Sequence, residues 1–169
     1  MSKIVLSLLV KNSTGVLSRI AGLFSRRGYN IDSLTVGETE LDSISRMTVV
    51  ARGDDAVLEQ IEKQLRKQYD VISIRVLPSD ASVVRELIMV KVGATMETRS
   101  QLISICDIFR AKVIDVSEDS MIFELTGNQE KLSAFLNLLS GYKILEVART
   151  GVTGLARGTA DLNEHMANQ

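Results

Sequence analysis

The sequence predicts an α+β protein of two tandem ferredoxin-like βαββαβ domains, with the helices on one face of each antiparallel sheet. Three observations lead there. Apolar residues alternate in some segments and recur at helical spacing in others, and the resulting order is βαββαβ. The same order then returns, with second halves that align without a gap from Gly53 and from Gly127, a shift of about 74 residues. Between the copies stands the only proline of the chain, Pro78, gathered with Ser79, Asp80 and Ser82. These signals divide the chain into a first domain over 1–78, a linker over 79–84, a second domain over 85–158 and a flexible tail over 159–169.

The first strand is "KIVLSLLVK", where Ile4, Leu6, Leu8 and Val10 share one side. A helix follows, because Val16, Leu17, Ile20, Ala21, Leu23 and Phe24 recur at helical spacing, and Gly28 behind Arg26 and Arg27 reads as its stop. "YNIDSLTVGET" and "ISRMTVVAR" form a hairpin about Glu40 to Ser43. Asp54 or Asp55 caps a helix that turns Val57, Leu58, Ile61 and Leu65 inward, and "DVISIRVL" closes the copy. In the second copy "ELIMVKV" leads to a helix with Leu102, Ile105, Cys106 and Phe109 on one face. A hairpin about Glu118 and Asp119, a helix carrying Leu132, Phe135, Leu136 and Leu139, and "KILEVAR" complete it. Each sheet's second face is then open, and Val5, Leu9, Leu34, Val36, Val49 and Ala51 are expected on or near faces or edges that the helices leave uncovered.

Composition excludes several functions. Twenty Lys and Arg against 21 Asp and Glu give a formal charge of -1, so nothing in the balance recruits a polyanion. A nucleic-acid module of this topology needs aromatics on its central strands, where "ISRMTVVAR" and "SMIFELTG" offer only Phe123. The apolar start "MSKIVLSLLVKN" is too short for a signal peptide or a span, and Cys106 has no cysteine to pair with, so a cytoplasmic protein is expected. The only histidine, His165, lies in the polar end, which leaves no histidine-based triad or histidine-rich metal site. Cys106 sits on an apolar stripe and reads as a small core residue. Asp54-Asp55 and Glu118-Asp119 suit a helix start and a turn rather than acid and base chemistry, and Gly151, Gly154 and Gly158 lack the spacing of a phosphate loop. Neither a catalytic nor a metal-binding residue is expected.

One stretch carries possible chemistry. In "KNSTGVLSRIAGLF" a strand hands over to a helix through Asn12, Ser13, Thr14 and Gly15. The N–H groups of a helix N-terminus have no partner within the helix and suit a carboxylate, Gly15 lets a ligand approach the backbone, and Asn12 offers both donor and acceptor. Equally, Asn12, Ser13 or Thr14 caps the helix and Gly15 merely turns the chain. Local chemistry leans to the plain cap.

"NSTGVLSRIAGLFSRRGYNIDSLTVG", followed by "SRMTVV", "VLEQIEKQL", "IFRAKVIDV" and "EVARTGVTGLARG", resembles the small regulatory subunits of acetolactate synthase, also called acetohydroxyacid synthase. The resemblance implies that residues 1–78 form an ACT domain, an amino-acid-sensing module, followed by the C-terminal domain of that family. It implies a chain without catalysis of its own. The partner would be a large subunit that uses thiamine diphosphate, Mg²⁺ and FAD to condense two pyruvates to 2-acetolactate in branched-chain amino-acid synthesis. This chain would raise its activity and confer feedback inhibition, typically by valine. ACT domains of the family pair as a homodimer with the effector between chains, which implies Asn12, Gly15, Val16 and Leu17 from one chain and Asn30 and Ile31, with Asp32 next to them, from the other. Gly37 falls near that site. The stretch Thr150 to Gly158 would touch the partner or form a loose end. A sensor of the same build acting on another enzyme or on transcription is the alternative.

Overall fold

A computed structural model describes residues 2–159 and 162. Two compact units emerge, Val84–Gly151 and a first unit that comprises the chain up to Val83 together with the described residues from Val152 onward. The second unit ends at Gly151. Residues 152–159 and Leu162 pack with the first unit instead.

The first unit runs β1 (Ser2–Lys11), α1 (Val16–Arg26), β2 (Asn30–Glu38), β3 (Ile44–Gly53), α2 (Asp55–Arg66) and β4 (Val71–Val76). Its antiparallel sheet has the order β2-β3-β1-β4. Leu6, Leu8 and Val10 of β1, Met47, Val49 and Ala51 of β3 and Ile74 of β4 form one core with Ile20, Leu23 and Phe24 of α1 and Leu58, Ile61 and Leu65 of α2. Burial of that many large side chains, at roughly 1.5–3 kcal/mol each, holds both helices to one face. Val49 and Ala51, with Leu34 packed against them, thus lie under the helices rather than on an open face. The β1–β3 register sets them there, because Leu6 pairs with Val49 and Ile4 with Ala51. Leu9 does face the other way, where Ile44, Ile72 and Leu162 meet it.

α1 stops as its sequence demands. Gly28 adopts φ +67, its N–H bonds Ser25 O at 3.1 Å, and Tyr29 N–H bonds Phe24 O at 3.0 Å. The Phe24 and Tyr29 rings meet edge-on at 6.3 Å, completing the apolar contact of this helix-ending motif.

The second unit runs β5 (Ser82–Gly93, whose first residues belong to the first unit), α3 (Arg99–Phe109), β6 (Lys112–Val116), β7 (Ser120–Gly127), α4 (Gln129–Leu139) and β8 (Ile144–Arg149), with the order β6-β7-β5-β8. Ile88, Val90, Val92, Phe123, Leu102, Leu132, Phe135 and Leu139 form its core. The repeat is visible in detail. Asp54 accepts from Val57 N–H at 2.8 Å to cap α2, and Asn128 accepts from Lys131 N–H at 3.0 Å to cap α4. In each case a glycine precedes the cap, Gly53 or Gly127, and a Cβ there would stand 2.7 Å from Val57 Cγ1 or 2.8 Å from Lys131 Cδ.

The glycine-rich stretch is ordered. Val152 N–H donates to Ser33 Oγ at 2.7 Å, Thr35 Oγ1 donates to Val152 O at 2.9 Å, and β9 (Thr153–Ala156) follows. Arg157 N–H then donates to Ala81 O at 2.9 Å, and Ser73 Oγ to Leu162 O at 3.1 Å. Of the expected tail over 159–169, Thr159 and buried Leu162 are described, while His165 lies outside the described residues. Among the described residues no helix is long and apolar enough to cross a membrane.

Candidate functional site

The turn between β1 and α1 is tied to the β2–β3 hairpin through Asn12. Its backbone N–H bonds Ser43 O at 2.8 Å, and its side-chain amide donates to Glu38 Oε1 at 3.1 Å and to Asp42 O at 2.8 Å. Both amide hydrogens are thereby engaged. The carbonyl oxygen of Asn12 is left to accept, so of the donor and acceptor that the residue type offers, the acceptor is the one presented.

No side chain caps α1. The N-cap is Gly15 itself, at φ +85 and ψ -3, a left-handed conformation that L side chains rarely adopt. The plain cap by Asn12, Ser13 or Thr14 is therefore absent. Val16 N–H bonds Ser13 O at 3.4 Å and Arg19 N–H bonds Gly15 O at 3.0 Å, whereas the N–H groups of Leu17 and Ser18 donate to none of the described residues. They lie at the positive end of the helix dipole. Val16 is buried in the core, so only its backbone faces the turn, and Leu17 is exposed beside it.

Two cations flank the turn. Arg19 Nη1 lies 3.0 Å from the place of a Cβ on Gly15, and Arg19 Nε donates to Asp70 Oδ2 at 2.6 Å. Lys11 Nζ stands over the Tyr69 ring at 3.4 Å from its centroid, and Lys11 N–H bonds Asp70 O at 2.9 Å. Sequence reasoning passed over Arg19. Its only signal was the spacing of four from Gly15, which is one helical turn.

Asn30 and Ile31 open β2, opposite Arg52 and Ala51, while Glu38, the residue bonded by Asn12, ends it. At about 3.3 Å per residue the two ends of β2 are roughly 25 Å apart, so one chain does not bring Asn30 and Ile31 to Asn12, Gly15 and Leu17. Asp32 occupies the irregularity between Ile31 and Ser33 and is held by Arg52 at 2.5 Å and Lys3 at 3.5 Å. Gly37 has open space where a Cβ would stand and lines a shallow groove with Thr35, Glu38 and Arg46. β2 is the end strand of its sheet, and Val36 on it and Leu17 on α1 are exposed apolar residues.

Elsewhere, Cys106 is buried and its Sγ–H donates to Ala111 O at 3.1 Å. Burial pushes its thiol pKa up, and the charge of Asp107 adds to the shift, the opposite of what a nucleophile needs. No group of His, Cys, Asp and Glu among the described residues is placed to hold a metal ion.

Residues 6–73 match the family model described as the small subunit-like ACT domain of AHAS, and residues 85–158 match that of the small subunit of acetolactate synthase. A probable acetolactate synthase small subunit of Methanothermobacter thermautotrophicus is 54% identical over 156 residues, covering 92% of this chain and 93% of that protein. The acetolactate synthase small subunit of Bacillus subtilis is 46% identical over 159 residues, with 93% and 92% covered. Among solved structures, the acetolactate synthase small subunit of Thermotoga maritima superimposes with a TM-score of 0.87 at 39% identity, over 95% of this chain and 100% of that one.

Proposed function

Because this chain belongs to the family of acetolactate synthase small subunits, the regulatory and non-catalytic chains of that enzyme, we propose that it binds free valine between two copies of itself and transmits the occupancy to a catalytic large subunit. The large subunit holds thiamine diphosphate, Mg²⁺ and FAD and condenses pyruvate in the cytoplasm. This chain raises its activity when empty of effector and withdraws that activation when valine is bound.

The observation that carries the reading is the start of α1 without a side-chain cap, with Gly15 in the left-handed region and two N–H groups behind it that bond none of the described residues. The valine carboxylate bonds the N–H groups of Leu17 and Ser18 in the field of Arg19, and its ammonium bonds Asn12 Oδ1. Pairing two β2 strands antiparallel about Leu34 sets Asn30 of one copy beside Glu38 of the other, which itself touches Asn12. Asn30 and Ile31 of the second copy then close the site, Ile31 against the aliphatic side chain. Exposed Leu17 and Val36 are buried by the same pairing.

An effector held by both copies favours one relative placement of them over others, and only such differential binding shifts an equilibrium. The test is a reconstituted holoenzyme carrying Gly15→Asp. Its carboxylate repels that of valine and occupies its place, so the valine concentration for half inhibition should rise by more than ~10-fold with activation retained. Unchanged inhibition removes the site assignment.

A further inference from the structure

We propose that Glu38 makes the site at Gly15 select 2-amino acids over 2-hydroxy and 2-oxo acids of the same carbon skeleton, by pairing its carboxylate with the effector's ammonium. The assignment rests on the reading of that turn as an effector site and adds a charge to it. Asn12 Oδ1 alone does not make the choice, because an amide carbonyl accepts from a hydroxyl as well as from an ammonium.

Distance allows one ammonium to bond both residues. Glu38 ends β2, and its Oε1 accepts from Asn12 Nδ2 at 3.1 Å. The oxygen and nitrogen of one amide are about 2.3 Å apart, so Glu38 Oε1 lies within roughly 5.4 Å of Asn12 Oδ1. An ammonium bonds each oxygen at about 2.8 Å and so bridges two that are up to roughly 5.6 Å apart. The carboxylate is also free to take it. The bond from Asn12 uses one of its several acceptor positions, and no cation among the described residues lies within ion-pair distance of Glu38. Strand register keeps Arg46 away. Val36 pairs with the core residue Met47, so Glu38, two residues on, shares the face that carries the helices. Arg46, next to Met47, projects from the opposite face and donates to Ser7 Oγ at 2.8 Å.

The charges then match the ligand. Arg19 Nη1 lies 3.0 Å from the place of a Cβ on Gly15, and Glu38 stands on the Asn12 side, so the turn offers a cation to the carboxylate and an anion to the ammonium. A bond between charged partners is roughly twice as strong as one between neutral groups, which is what a 2-amino acid gains over a 2-hydroxy acid. A 2-oxo acid fares worse, because it brings a third acceptor to two acceptors. Glu38 is exposed in one chain. Pairing of β2 strands about Leu34 lays Asn30 of the second copy beside it, which removes part of its water and strengthens the pair.

Isothermal titration of the full-length chain with valine, and displacement of valine by 2-hydroxyisovalerate, test the assignment. Glu38→Gln keeps an acceptor for Asn12 and removes only the charge. Valine should bind Glu38→Gln at least ~5-fold more weakly than the wild type, while 2-hydroxyisovalerate stays within about two-fold, so the preference for the amino acid narrows. If the hydroxy acid displaces valine from neither protein, Glu38→Asp decides, by keeping more of the valine affinity than Glu38→Gln. Wild-type valine affinity in Glu38→Gln, equal weakening of both ligands, or Glu38→Asp no better than Glu38→Gln would overturn the role of Glu38. Gly15→Asp, titrated alongside, separates that role from the site itself. Wild-type affinity in Gly15→Asp removes the site and Glu38 with it, whereas a loss in Gly15→Asp with none in Glu38→Gln removes Glu38 alone.

Discussion

At Gly15 a single backbone angle changes the meaning of its neighbours. With φ at +85 the glycine itself begins the helix, and Asn12, Ser13 and Thr14 are released from capping. That angle was not legible, because Asn-Ser-Thr-Gly is equally good material for a hydroxyl or amide cap and for a left-handed turn. Cys106 is the opposite case: its place on an apolar stripe already marked it as a core residue, and the structure adds the bond to Ala111 O and the raised pKa. A thiolate is the reactive form, and both desolvation by burial and the neighbouring Asp107 charge disfavour it. We expect a disulfide reagent at pH 8 to modify Cys106 at least ~100-fold more slowly in the native chain than in the chain unfolded by urea. Reaction at comparable rates would show that the thiol is accessible in the folded state.

The elements were legible wherever period and cap agreed. α2 and α4 combine a helical stripe with an Asp or Asn cap, and a glycine before each cap leaves space for the first turn. Gly53 and Gly127 differ in what crowds them. At Gly53 a Cβ meets branched Val57, whose χ1 is stiff, while at Gly127 it meets the middle of the flexible Lys131 side chain. Gly53→Ala should therefore cost about 1–3 kcal/mol in urea unfolding and Gly127→Ala less, an order that equal costs would refute. The face of β3 was not legible. "MTVVA" is apolar at successive positions, so period two cannot say whether Val49 or Val50 turns to the helices, and only pairing with β1 decides. β9 was hidden for a different reason. "TGLA" is short and weak in strand-forming residues, and the residue before it, Val152, is anchored by bonds to Ser33 and Thr35, some 117 to 119 residues earlier in the chain, which no local pattern records.

For the molecule as a whole, the two halves of the proposed site lie at opposite ends of β2 in one chain. Asn12 is bonded to Glu38 at one end and Asn30 stands at the other, so contact between the halves requires a second copy. The family resemblance suggested that arrangement, but the distance along β2 gives the physical reason, which no reading of a single sequence supplies. A symmetric antiparallel pair of β2 strands creates two equivalent sites, each with Asn12 from one copy and Asn30 from the other. This makes a sharp prediction for mixed assemblies. Asn12→Ala loses the ammonium acceptor in both sites of a homodimer, and Asn30→Ala loses the opposing residue in both, so either variant alone should give a holoenzyme that is activated but far less sensitive to valine. When the two variants are unfolded together and refolded at equal amounts, about half of the dimers combine one chain of each kind by random pairing. In such a dimer both substitutions fall in one site and the other site is wild type. Valine inhibition should then return in part, with half-inhibition near the wild-type concentration but reduced amplitude. Were the site built within one chain, every site in the mixture would carry one substitution and mixing would restore nothing.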